Sequence, residues 1–402
     1  MNGQLSYLRK ISLSSWLFAV YLLLLPISTA IAGFLISTSI VSVLGIIYVG
    51  VSVIEMIKDD DLQIDRSIIL IMVYFIYTII SSIWYQSFTF DWYFQQFCLT
   101  AAIVVCTAMR HMTDEKIKLY KTAIYLSIAV AVVAAILNIP EKGHRLVIYG
   151  TSYMDPNDFA NGLAILSALF FDNILKKKQM ILNVCLIGVV AFLIYCTGSR
   201  GGLLTLLVVA FIFILNIAGI EKHRILIIMG AFIAAFLVLA ESGIDPKILG
   251  RFSISHILSE GGAGRTLIWG AAIKSFLASD PLHILFGYGH GSFGTAVRYV
   301  AIGHGDTYMS HNMFINALIE GGVTGLALMI TGFISLFIHS VRVKNPLGMM
   351  ALAGFLTEGF SLDAQVYRTF AIAIVLAFLV KNEMNGKCDI LFNQIGGRKD
   401  AV

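Results

Sequence analysis

Apolar positions along this chain gather into long runs separated by short polar loops, the pattern of helices long enough to cross a bilayer. The runs predict about twelve transmembrane helices, near 14–31, 35–57, 67–84, 92–108, 121–139, 159–175, 180–197, 203–219, 225–243, 312–338, 346–362 and 369–382. The first two form one continuous apolar stretch broken only around Pro26 to Gly33, too long for one tilted helix and suited to a tight hairpin. No cleavage site follows Arg9 and Lys10, so the first run reads as a span and not as a removable signal. The chain divides into helices 1–5 over 1–150, helices 6–9 over 151–243, a long loop over 244–311, helices 10–12 over 312–382 and a polar tail over 383–402. The fold class expected is an all-α polytopic membrane bundle with short helices in the long loop.

Composition agrees with the pattern. Of 402 residues 58% are hydrophobic and 13% charged, against about 25% charged in a soluble domain. A soluble enzyme, a disordered chain and a nucleic-acid binder all need more polar surface, and a disulfide-stapled secreted domain needs more cysteine. The five cysteines form no CxxC pair. No convincing internal repeat supports an inverted-repeat transporter.

The net charge of +4 is modest, and its placement carries the information. Alternate polar segments beginning with the N-terminus hold 19 of the 28 Lys and Arg, whereas the short loops between them hold only Lys142, Arg145, Arg200 and Arg368. Both termini are therefore expected in the cytoplasm, with Lys176, Lys177 and Lys178 as an inside anchor and segment 244–311 outside.

That exterior segment contains five of the nine histidines (His256, His283, His290, His304 and His311), and a loop of such length is usually functional. Thr266 to Leu277, with Trp269 and Phe276, has the spacing of an amphipathic helix. Gly289, Gly291 and Gly294 fit GxGxxG, but no βαβ unit surrounds them and they read as turn glycines. No HExxH occurs, and His304 and His311 stand too far apart on one helix to share an ion.

Ser310 is expected to cap the tenth span and to place His311 in its first turn, where the helix dipole and nearby arginines would favour neutral imidazole, a proton acceptor at pH 7. Arg200, following Thr197, Gly198 and Ser199 and preceding Gly201 and Gly202, suits an anion clamp, because a guanidinium fork matches phosphate oxygens two at a time. Snorkelling to lipid headgroups is the plainer use of such an arginine. Arg265 is a second clamp candidate. Asp155-Pro156 starts a turn, and Asn157 or Asp158 can cap the next helix. Glu320 and Glu358 are intramembrane carboxylates, and proton-coupled transport is the rival use of such groups.

Taken in order, Asp155-Pro156-Asn157-Asp158-Phe159-Ala160, Thr197-Gly198-Ser199-Arg200-Gly201-Gly202, Gly264-Arg265 with Trp269, Gly287-Tyr288-Gly289 with Phe293, and His311-Asn312 with Glu320-Gly321-Gly322 and Gly325 resemble the O-antigen ligase and O-antigen polymerase superfamily. The resemblance covers about residues 150–330. It implies a bacterial inner-membrane glycosyltransferase that passes a glycan from an undecaprenyl-diphosphate carrier to an acceptor hydroxyl outside the membrane, by an inverting reaction without metal or other cofactor. Carried over by position, Arg200 and Arg265 would hold the diphosphate and His311 would be the base. Asp155, Asn157, Asp158, Trp269 and Asn312 would line the substrate site. The acceptor would be a glycan or lipid-linked glycan, and a flippase and a chain-length regulator are the expected protein partners.

A polymerase of O-antigen, capsule or other exopolysaccharide repeats is the favoured reading. The ligase, which joins polymer to lipid A-core, is the alternative within the superfamily. A transporter or flippase of lipid-linked oligosaccharide is the alternative of another class; it would need polar residues along a central path on both sides, whereas here they concentrate at one face.

Overall fold

The computed structural model describes residues 11–28, 40–59, 65–85, 90, 92–139, 141, 144–149, 154–217, 230, 265–297, 309–363 and 369–379. Every regular element among them is helical. In chain order they are α1 (Leu13–Leu24), α2 (Ile40–Asp59), α3 (Arg66–Ser81), α4 (Trp92–Ala108), α5 (Asp114–Leu137), α6 (Pro156–Leu166), α7 (Ala168–Leu175), α8 (Met180–Thr197), α9 (Arg200–Asn216), α10 (Arg265–Leu277), α11 (Pro281–Phe286), α12 (Phe293–Val297), α13 (Met313–Arg342), α14 (Pro346–Glu358) and α15 (Thr369–Phe378).

Among the described residues, six stretches are long and apolar enough to cross a membrane: Ile40–Lys58, Arg66–Trp84, Asp114–Leu137, Pro156–Leu175, Met180–Thr197 and Met313–Arg342. Shorter apolar helices cover Leu13–Ile27, Tyr93–Ala108, Arg200–Asn216 and Thr369–Phe378. The expected span at 225–243 lies outside the described residues. Polar caps set several starts. Ser12, Asp65, Thr113, Asp155, Ser199, Asn312 and Asn345 each accept a backbone N–H of the following first turn, so the helices begin with satisfied donors. Thr113 starts α5 seven residues before the apolar run at 121, because a capped polar turn extends a helix beyond its lipid-facing part.

Two packed halves form one core. In the first, Phe18 of α1 stacks on Tyr48 of α2 with ring centroids 4.8 Å apart and meets Tyr120 of α5 edge-on at 5.0 Å. In the second, α15 is buried at every residue, as a helix apolar all round must be. Phe370 of α15 stacks on Phe355 of α14 at 4.9 Å and meets Phe75 of α3 at 5.5 Å.

Contacts between helix ends fall into two sets. One joins Glu55 to Arg110, Asp65 to His339 and Asp172 to Lys121. The other joins Arg145 to Thr197, Tyr85 to Thr295, Tyr93 to Asp363 and Met313 to Gly359. These are the two ends that charge alternation predicts to be inside and outside, and they are called inner and outer below.

α13 is not one rod. Gly322, at φ 65 and ψ −166, interrupts it. At the inner end the N–H of Asn345 donates to Ser340, and at the outer end the N–H of Met313 donates to Gly359 at 2.8 Å and Leu362 at 3.1 Å. The α14 helix between those contacts rises about 20 Å, whereas a straight α13 would rise about 45 Å. The break reconciles the two lengths by turning 313–321 across the outer end of the bundle as a crossbar.

Candidate active site

The outer mouth is built where several helix starts meet. α6 begins at Pro156, with Asp155 as its cap accepting from the N–H of Asn157 at 2.6 Å. α9 begins at Arg200, with Ser199 accepting from the N–H of Gly202 at 3.1 Å. Those two starts lie close because residue 202 has no side chain: a Cβ there would stand 2.5 Å from the Cβ of Ala160. A Cβ at Gly201 would run into the Ser361 hydroxyl, which brings the end of α14 to the same place. Asn161 ties the helices further, accepting from Thr205 at 2.7 Å and donating to the carbonyl of Asn157 at 2.9 Å.

Arg145, which the sequence marked only by its rarity among outer-loop cations, joins this frame. Its Nε donates to the carbonyl of Thr197 at 2.6 Å and its terminal nitrogen donates to the Asn157 side-chain oxygen at 3.0 Å. One guanidinium thus staples the end of α8 to the first turn of α6. Asn157 has a framework role in consequence, and Asp158 lies near enough to the buried Glu358 for their charges to interact.

His311 comes to the mouth from the other side. The expectation that Ser310 caps the tenth span is corrected: Asn312 is the cap, accepting from the N–H groups of Phe314 at 3.0 Å and Ile315 at 3.1 Å. Ser310 is buried and holds the turn itself, its hydroxyl donating to the carbonyl of Asn312 and accepting that residue's N–H. His311 therefore sits just before the helix, not in its first turn, in a left-handed conformation at φ 51. Such a backbone is costly for a residue with a side chain and is held by its surroundings. Trp269 supplies part of that hold, donating its indole N–H to the carbonyl of Ser310 at 2.9 Å.

The imidazole keeps an exposed edge, yet the protein packed around it removes water, and this burial is the main cause that holds its pKa below the usual 6.5. The positive charge of Arg265 pushes in the same direction, and the negative charge of Asp155 opposes it. Asp155 and Arg265, from two distant parts of the chain, are thus each within electrostatic reach of His311. Arg265 opens α10, the helix expected over 266–277, which buries Ile268, Ala271, Ala272, Ser275 and Phe276 on one face. Arg200 lies half-buried at the start of α9. The structure therefore brings His311 within electrostatic reach of Arg265, which opens α10, and of Asp155, which caps α6, while Arg200 opens the helix packed against the start of α6.

Residues 184–330 match the family model for O-antigen ligase. That segment is similar to the O-antigen ligase family, and the match spans about a third of the chain. The matched segment runs from α8 through α9 and α10 to the far side of the Gly322 break, and it contains Arg200, Arg265, Trp269, His311 and Asn312; Asp155 to Asp158 lie outside it. The match points to a glycan-transfer enzyme of surface polysaccharide assembly, in keeping with helices long and apolar enough to span a membrane several times. No curated protein matches the chain.

Of the motif glycines, Gly289 and Gly291 have φ of 93 and 84 and form turns, while Gly294 lies in α12. His256 and His304 lie outside the described residues. His283 pairs with Asp280, the α11 cap, and stacks on Tyr288 at 4.1 Å. His290 is buried far from water, a placement that its position in a polar exterior loop did not foretell.

Proposed function

We propose that this protein polymerises carrier-linked glycan repeats at the outer face of the membrane. Arg200 and Arg265 hold the diphosphate of an undecaprenyl-diphosphate donor. An acceptor hydroxyl on a second glycan loses its proton to His311 as its oxygen attacks the anomeric carbon. The bond from that carbon to the diphosphate oxygen breaks, the carrier diphosphate leaves with the electron pair, and the configuration inverts. His311 then returns its proton to water. The guanidinium groups meet the charge that grows on the leaving diphosphate, which is the service a metal or general acid would otherwise give. Holding donor and acceptor at one mouth supplies the rest by proximity.

The observation that carries this reading is that Arg265 lies within electrostatic reach of His311. Burial first and that cation second favour the neutral imidazole a base needs, and the same cation offers an anion site nearby. Asp155, Asn157, Asp158, Trp269 and Asn312 act around the substrate chiefly by holding these groups. The topology we infer has about twelve spans at the bilayer's width each, both termini in the cytoplasm and 244–311 outside, in an inner membrane shared with a flippase and a chain-length regulator. The description of the matched family favours a second reading, in which the same mouth ligates finished polymer to lipid A-core.

The purified protein, given carrier-linked repeats with and without lipid A-core, separates the two: extension of carrier-linked glycan supports the polymerase, and transfer only to lipid A-core the ligase. Transfer to neither would overturn both. A reporter fused near Gly262 should be active outside the cytoplasm, and activity inside would invert the topology.

A further inference from the structure

Under the crossbar lies a second polar cluster that the proposed chemistry does not use. His290 is 1% exposed, its ring stacked on Tyr93 at 5.0 Å and against Phe97 at 4.8 Å. Its Nδ1 stands 3.0 Å from a carboxylate oxygen of Glu320, which is 4% exposed and belongs to the last turn before the Gly322 break. Asp363, 2% exposed, accepts from the Tyr93 hydroxyl and from the side-chain amide of Asn316, one turn before Glu320.

The backbone is locked at the same place. The N–H groups of Tyr288 and Gly289 donate to the carbonyls of Ile319 at 3.0 Å and Glu320 at 2.8 Å, and Tyr77 donates to the carbonyls of Phe286 at 2.9 Å and Gly321 at 2.7 Å. Ser81 accepts the N–H of His290 at 3.1 Å. A turn of the exterior segment is thus driven into the gap that the helix break opens between α3 and α13. His311 hangs from the opposite end of this crossbar.

We propose that His290 and Glu320, braced by Asp363 and Asn316, are positioning residues that fix the crossbar's angle and so the place of His311 relative to Arg200 and Arg265. Because 313–321 is a rigid helical segment pinned at both ends, a shift at Glu320 is delivered at His311. Burial of an acid and a histidine in such surroundings costs stability unless the geometry is held closely, so the pair serves placement more than strength. The neighbouring water-sized cavity, lined by Tyr74, Thr78, Ser81, Ala317, Glu320, Gly321 and Gly325, leaves room for the crossbar to settle differently once the pair is broken.

The inference rests on His311 being the base. The test uses the full-length protein with carrier-linked repeats, comparing Glu320→Gln, His290→Gln and the double variant. Each single variant is expected to lose roughly ten- to a hundredfold in kcat, as displaced catalytic groups do, with donor KM little changed. The double variant should be no slower than the worse single one, since both substitutions break the same contact. Wild-type kcat in either folded single variant, a loss confined to KM, or losses that multiply in the double variant would each overturn the proposal. If His290→Gln does not accumulate, Glu320→Gln decides on kcat and KM alone. His311→Ala run alongside separates the two readings: turnover by that variant sinks the proposed base, whereas an inactive His311→Ala beside fully active Gln variants sinks only the positioning role.

Discussion

At the inner end, Arg110 stands 2.9 Å from Glu55 with the Ser14 hydroxyl bonded to both, and Asp172 stands 2.7 Å from Lys176 and 3.6 Å from Lys121. At the outer end, Arg145 braces the end of α8 against the start of α6, Arg200 opens α9, and Arg265 opens α10 within electrostatic reach of His311. The inner charges cancel within a few ångströms and fasten helix to helix. At the outer end the charge of Arg265 reaches the imidazole of His311 and, after burial, disfavours its proton. On the proposed function, that charge is one wall of a diphosphate cradle. The difference separates charges that build from charges that act.

Substitutions on the two sides should therefore fail in different ways. The largest effect is expected from His311→Ala: chain lengthening in membranes supplied with carrier-linked repeats falls roughly 10²- to 10⁴-fold at unchanged protein level, the contribution of a general base. Full polymer would remove His311 from the chemistry.

Arg265→Gln comes next, with a loss of roughly 10²- to 10³-fold, the scale of one missing charge-stabilising donor. It also carries a sign. A base works when deprotonated, and His311 loses its proton below pH 6.5, so wild-type turnover should rise along an acid limb below that value and level off above it. Removing the positive charge raises the pKa of His311 and must move the limb to higher pH; a fixed limb would show that Arg265 does not reach the titrating group.

Arg110→Ala makes the contrast from the other end. It leaves Glu55 held only by the N–H and hydroxyl of Ser14 and should lower stability by about 1.5–3 kcal/mol, read as earlier thermal unfolding in detergent, while turnover per folded molecule stays the same. Lost turnover in the folded protein would erase the distinction between the ends. The smallest effect is assigned to Asp155→Asn, which keeps the helix cap but removes a negative charge that raises the pKa of His311. The acid limb should move down by a fraction of a pH unit, opposite to Arg265→Gln.

Much of the frame was legible in the sequence because it is written locally. Apolar runs give spanning helices, Asp155-Pro156 gives a helix start, and the spacing over 266–277 gives α10. His311 and Arg265 stood out because so few charged groups occur at that face. What could not be read depends on contacts across the chain. Arg145 looked like one more loop cation until Thr197 and Asn157 came to either side of it. Lys176, read as a simple anchor, also neutralises the buried Asp172. Gly321-Gly322 in an apolar run is indistinguishable from close helix packing, and only the mismatch in length between α13 and α14 exposes a break. His290 shared its loop with exposed histidines, and nothing local says that Tyr93 and Phe97 would enclose it.

The missing side chain at residue 202 also works as a gauge block. Since α9 meets Ala160 of α6 with no atom to spare, the distance between the Arg200 end of one helix and the Asp155 end of the other is fixed by a single absent carbon. Adding it wedges the two starts apart and widens the mouth from below without touching a charged group. On the proposed function, residue 202 is then a mechanical adjustment for how bulky an acceptor can lie between the clamp and the base.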